Sequence, residues 1–89
     1  MNRKKENPLR QLPADMKNYG EIKIHLDTIL KEKDISLNQL SFRAEMQRTQ
    51  LRNYRDNKAQ RLDIDILLRL CYVLECDLTD LIEYIPPAK

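Results

Sequence analysis

Apolar positions change their spacing several times along the chain. Residues 1–18 (MNRKKENPLRQLPADMKN) show no apolar repeat and contain two prolines, so residues 1–20 are expected to form a mobile basic arm closed by Gly20. Ile22, Ile24 and Leu26 then alternate with Lys23 and His25, the two-residue period of a short strand. From Leu26 onward, Leu26, Ile29, Leu30 and Lys33 fall at helical spacing, with His25 at the N-cap position and Asp27 in the first turn. Asp34 is expected to end this helix in place of the usual glycine. Ser36 with Gln39 reads as a capping box, opening a second helix whose inward stripe is Leu37, Leu40, Ser41 and Ala44. A third helix is predicted from about Gln47 to Asp56 with Leu51 and Tyr54 inward, Asn57 as a left-handed stop, and a basic loop from Lys58 to Arg61 after it.

The fourth helix begins near Asp63, and nine of the eleven residues Ile64 to Leu74 are apolar. One face collects Ile64, Leu67, Leu70, Cys71 and Leu74, while Ile66, Leu68, Tyr72 and Val73 widen the arc beyond what a single core needs. Such a helix is either central or buries a second face against a partner. A fifth helix, capped by Asp77, runs from Leu78 to about Tyr84 and stops at Pro86 and Pro87. The expectation is one domain over residues 21–86 with a short tail, 87–89: an all-α fold of five helices, with at most one short N-terminal strand.

Composition narrows the class. A single glycine argues against a turn-rich β sandwich, and 42% hydrophobic with 34% charged residues places the chain among globular proteins. The longest apolar run is the five residues Leu70 to Leu74, so no membrane span is expected. No signal-peptide pattern is present, and two cysteines then read as reduced thiols in a cytoplasmic protein. On a continuous helix Cys71 and Cys76 would lie ~140° apart, poor placement for sharing a ligand. His25 has no partner at ligand spacing, and no acid–base pair or nucleophile constellation exists. Neither an enzyme, a metal site nor a cofactor is expected.

Charge is unevenly distributed. Residues 35–61 carry six basic side chains against two acidic ones, whereas residues 62–89 carry two against six. One side suited to a polyanion and another turned away from it would produce this split, although a solvated surface with uneven charge would as well.

Two helices across a tight turn, followed by two more, suggest a helix-turn-helix. The segment SLNQLSFRAEMQRTQLRNYRDN (36–57) resembles the Cro and lambda-repressor class. The flanks IKIHLDTIL (22–30) and LCYVLECDLTDLIEYIP (70–86) are similar to those of its compact bacterial and phage branch, extending the likeness over residues 21–86. The resemblance implies a lambda-repressor-like fold, a DNA-binding transcriptional regulator, and buried positions at Leu40, Ala44, Met46, Leu51 and Tyr54, with Ser41 at the small-residue position. Three residues depart from the pattern: Glu45 stands where the turn usually has glycine, Leu37 where many relatives have a glutamine reaching DNA, and Gln47 where a serine or threonine cap is usual.

With Leu51 and Tyr54 inward, the third helix turns Arg48, Thr49, Arg52 and Asn53 outward, and Gln47 begins it. Arginine pairs with guanine, glutamine or asparagine with adenine, and threonine touches the thymine methyl, so these five are the expected base contacts. Arg43, Gln50, Lys58 and Arg61 are the expected backbone contacts, an ordinary solvated surface being the plainer reading. Phe42 lies off the inward stripe, either packing on the arm or docking a partner. With Ile66, Leu68, Tyr72 and Val73 it forms the candidate dimer or partner surface. The resulting expectation is a sequence-specific duplex-DNA-binding homodimer repressing by operator occupancy. A protein-interaction module on the same fold, such as an antitoxin or antirepressor, is the alternative.

Overall fold

The computed structural model describes residues 18–88. The first seventeen residues of the basic arm, and Lys89, lie outside the described residues. In chain order the elements are β1 (Glu21–Ile24), α1 (Leu26–Lys33), α2 (Leu37–Ala44), α3 (Arg48–Arg55), α4 (Ile64–Leu74), α5 (Leu78–Leu81) and β2 (Ile82–Ile85). The two strands pair antiparallel, Ile24 opposite Ile82 and Ile22 opposite Tyr84, so the first and last elements close the domain. The fold is therefore not all-α. The helix expected to reach Tyr84 ends at Leu81, because Ile82 and Tyr84 alternate with Glu83 and find a hydrogen-bonding partner in β1.

Leu26, Leu40, Leu51, Leu70, Leu74 and Leu81 are fully buried, so every helix places at least one leucine in a common core. That core fills the space between helices too short to persist alone; four of the five have only four or eight residues. On α4 the buried stripe is Ile66, Leu70 and Leu74, whereas Ile64 is 73% exposed. Leu67 and Cys71 pack against the core beside Leu70 and Leu74 as expected, so the inner face departs from expectation only at its N-terminal end, where Ile66 replaces Ile64.

One helix ending recurs four times. Asp34, Glu45, Asn57 and Glu75 all have left-handed backbone, with φ between 50° and 60°. In each case the next residue's N–H reaches the carbonyl five positions back: Ile35 to Leu30, Met46 to Ser41, Lys58 to Asn53 and Cys76 to Cys71, at 2.8–3.1 Å. These are Schellman endings, which satisfy the orphan carbonyls of a helix and bring the residues at the two ends of that bond together. Glycine would enter this conformation without strain, yet the chain uses three acids and an asparagine.

At Glu45 the carboxylate also sits at the negative end of the α2 dipole, adding to the left-handed strain. Glu45→Gly is therefore expected to stabilise the domain by about 1 kcal/mol after the added unfolded-state entropy is subtracted. Urea melts would register this as a higher midpoint at unchanged slope; a lower midpoint would show that Glu45 makes a compensating interaction.

Candidate nucleic-acid interface

The turn between α2 and α3 is held from both sides. Ser36 and Gln39 exchange the two bonds of a capping box at the start of α2, at 3.1 and 2.9 Å. At its end, the Ser41 hydroxyl donates to the Met46 carbonyl at 2.6 Å, bracing the turn. Arg69 reaches across from α4: its Nη1 donates to the carbonyls of Ala44 and Glu45 at 3.0 and 3.1 Å, and its Nε to Asp65 at 2.9 Å. A cation is thereby fixed at the carbonyl end of α2, where the helix dipole is negative.

Helix α3 packs Leu51 and Tyr54 inward, and Tyr54 accepts from the Asp63 N–H at 3.0 Å, tying the loop after α3 to the core. The opposite side presents Arg48, Thr49, Arg52 and Asn53, all exposed, as the apolar spacing implied. Gln47 and Gln50 are also exposed. Gln47 occupies the N-cap position without a side-chain capping bond. The Arg48 Nη1 donates to Asn38 on α2 at 2.8 Å, at the exposed surface. Asn38 was not singled out from the sequence; its only signal there is its outward position on α2, ten residues before Arg48.

Arg43, Lys58 and Arg61 are exposed around this face. Arg55 differs, because Asp56 binds its Nε at 2.8 Å; this hydrogen bond raises the guanidinium's pKa and holds the Asp56 carboxyl below the usual carboxylate range. The guanidinium is thus paired with a carboxylate at its own helix end.

The other expected surface is redistributed. Ile66 is 6% exposed and belongs to the core, and Val73 is half-buried against it, so neither presents a free face. Both widen the buried arc of α4 that Leu67, Leu70, Cys71 and Leu74 define. Leu68 and Tyr72 remain exposed and are joined by Ile64, giving an outer row at four-residue spacing; Phe42 on α2 is 87% exposed. Whether the arm covers Phe42 falls outside the described residues.

Cys71 packs against the core and Cys76 lies just past the helix end, as their positions in the sequence suggest; because α4 ends at Leu74 the helical wheel does not continue to Cys76, whose N–H turns back to the Cys71 carbonyl. Among the described residues no three His, Cys, Asp or Glu side chains are grouped around a point where a metal could sit, and no helix is long and apolar enough to cross a membrane.

Comparison with known proteins places this geometry. The family described as the Cro/C1-type HTH DNA-binding domain matches residues 25–87. The transcriptional regulator VanUg (Form II crystal structure) aligns with a TM-score of 0.63 at 19% identity, over 86% of this chain and 100% of that one. A chain of the SinR protein/SinI protein complex aligns with a TM-score of 0.56 at 24% identity, over 61% of this chain and 52% of that one. This chain therefore matches only about half the length of the chain from that complex, and at these identities both likenesses speak to the fold. Curated protein sequences give no match. With the family matched over most of the chain, and α2 and α3 arranged across a braced turn, the chain belongs to the Cro/C1-type helix-turn-helix DNA-binding domain family.

Proposed function

We propose that this chain binds a specific site on duplex DNA through α3 and represses transcription by occupying that site. The observation that carries the reading is the exposed row Arg48, Thr49, Arg52 and Asn53 on a helix whose other side is locked into the core by Leu51 and Tyr54. Asn38 holds the Arg48 guanidinium in advance, which lowers the ordering cost of presenting it to a guanine. Gln47 completes the base-reading set, while Arg43, Gln50, Lys58 and Arg61 flank it at positions suited to phosphates. Residues 1–20 serve as a basic arm attached to the domain of residues 21–86.

Selection from a randomised duplex library, followed by titration on the selected site, tests this. Arg48→Ala is expected to cost about 2 kcal/mol on the best site and relax preference at one base pair. Lys58→Ala should weaken all sequences alike and flatten the salt dependence. Failure of the library to converge, with affinity independent of salt, would overturn the reading.

One α3 offers too few base contacts to single out a genomic site, so a two-fold dimer on two half-sites follows from the same proposal. The outer row of α4, Ile64, Leu68 and Tyr72, is its seam: three large side chains, each at least 64% exposed, at one-turn spacing. Sedimentation should show a dimer for the wild type and a monomer for Leu68→Lys, Tyr72→Lys. A wild type that stays monomeric at tens of micromolar, free and on its DNA, would remove the dimer.

The same exposed row, with Phe42, also favours a second reading, a surface for a different protein. The similar chain with a TM-score of 0.56 comes from a complex of two proteins, SinR and SinI. Wild-type protein that binds no duplex would turn the choice toward that reading.

A further inference from the structure

On the exposed face of the domain, α2 and α3 are joined by a bond between side chains: the Arg48 Nη1 donates to the Asn38 Oδ1 at 2.8 Å. A guanidinium can only donate, so the amide must turn its oxygen toward Arg48 and its Nδ2 group the other way. Among the described residues that Nδ2 group has no partner, and Asn38 is exposed. The residues on either side of it have other tasks. Leu37 packs against the core, and Gln39 gives its Oε1 to the Ser36 N–H in the capping box. Asn38 thus presents unspent N–H donors beside Arg48, the first residue of α3.

We propose that Asn38 is a bridging DNA contact, its Nδ2 donating to a backbone phosphate while its Oδ1 keeps the Arg48 guanidinium on a base edge. The bridge rests on the reading of α3 as the recognition helix given above. With the second helix of a helix-turn-helix in the major groove, the first crosses the sugar–phosphate backbone. A side chain of α2 that touches the start of α3 then stands between backbone and groove. An amide suits that place, because it offers an acceptor to the cation on one side and a donor to the anion on the other. After one N–H goes to Asn38, the guanidinium keeps enough donors for the O6 and N7 of guanine. In the free protein water competes for this exposed bond. DNA displaces that water, and the charge-assisted bonds on both sides of the amide strengthen together. One phosphate and one base pair are therefore read as a unit.

The test uses the duplex selected by the wild type, together with copies carrying a single neutral methylphosphonate linkage at each position in turn. Asn38→Ala should keep the wild-type urea midpoint, since the side chain is exposed, yet bind the selected duplex about tenfold more weakly. It should also relax preference at the same base pair as Arg48→Ala, and the double variant should lose less than the two single losses combined. One methylphosphonate should weaken the wild type and leave Asn38→Ala unaffected. Asn38→Asp keeps the acceptor for Arg48 but sets a carboxylate against the phosphate, and should bind more weakly than Asn38→Ala. Asn38→Asp binding as well as the wild type would show that Asn38 serves Arg48 alone, and would overturn the bridge. So would unchanged affinity in Asn38→Ala, additive losses in the double variant, or equal methylphosphonate profiles for Asn38→Ala and the wild type. A wild type that selects no duplex at all would instead overturn the α3 reading, and the bridge with it.

Discussion

Replacing Asn57 by alanine is expected to lower the stability of the domain by about 3 kcal/mol. The Asn57 side chain forms both halves of a bridge to β1: its Oδ1 accepts from the Ile24 N–H at 2.6 Å and its Nδ2 donates to the Ile24 carbonyl at 3.0 Å. Both bonds are partly shielded from water, so their loss leaves Ile24, itself buried, with two backbone groups lacking partners. Each contributes about 1 kcal/mol, and alanine at φ 60° adds about 1 kcal/mol of strain. Asn57→Gly separates these contributions, since it keeps the conformation but loses the amide; its expected cost is about 2 kcal/mol. Urea melts of the two variants measure the difference. If both variants match the wild type, the amide does not hold β1 to the end of α3.

This bridge shows where sequence reading stops. Asn57 was legible as a left-handed helix ending, because asparagine tolerates that region and stood just past the last apolar position of α3. Its second task was not legible, since it joins residues 33 apart whose proximity follows from the packed fold. The same division runs through the chain. Ser36 with Gln39, Asp34 and the inward Leu51 and Tyr54 are local signals and stand where spacing placed them. Strand β2 was read as helix because Leu78, Leu81 and Ile82 fit a helical period, and only pairing with the distant β1 makes Ile82–Ile85 extended. On α4, nine apolar residues in eleven left the buried direction underdetermined. The core chose Ile66, Leu70 and Leu74, and left Ile64 outside.

The outward side chains of α3 were readable for a similar reason, since two buried residues fix the direction of every other one on an eight-residue helix. The second contacts were not. Asn38 on Arg48 and Arg69 on the α2–α3 turn arise from helices meeting in three dimensions, and only the Asp65–Arg69 half of that arrangement shows as four-residue spacing.

Arg69 is the stronger of these two contacts, and Arg69→Ala is expected to cost about 2–3 kcal/mol. Its Nη1 serves the carbonyls of Ala44 and Glu45, at the end of α2 where no further helical N–H is available. The Ala44 carbonyl is part-buried, so water can replace only some of what is lost. The ion pair with Asp65 contributes little, because Asp65 is 67% exposed, and Asp65→Ala should cost no more than about 0.5 kcal/mol. Arg69→Lys retains the charge but not the fork that meets both carbonyls and the carboxylate, and should recover less than half of the loss. Thermal melts of the three variants decide the matter. If Arg69→Ala costs no more than Asp65→Ala, the guanidinium acts as a surface charge and the α2–α3 turn is held by Ser41 and the core alone.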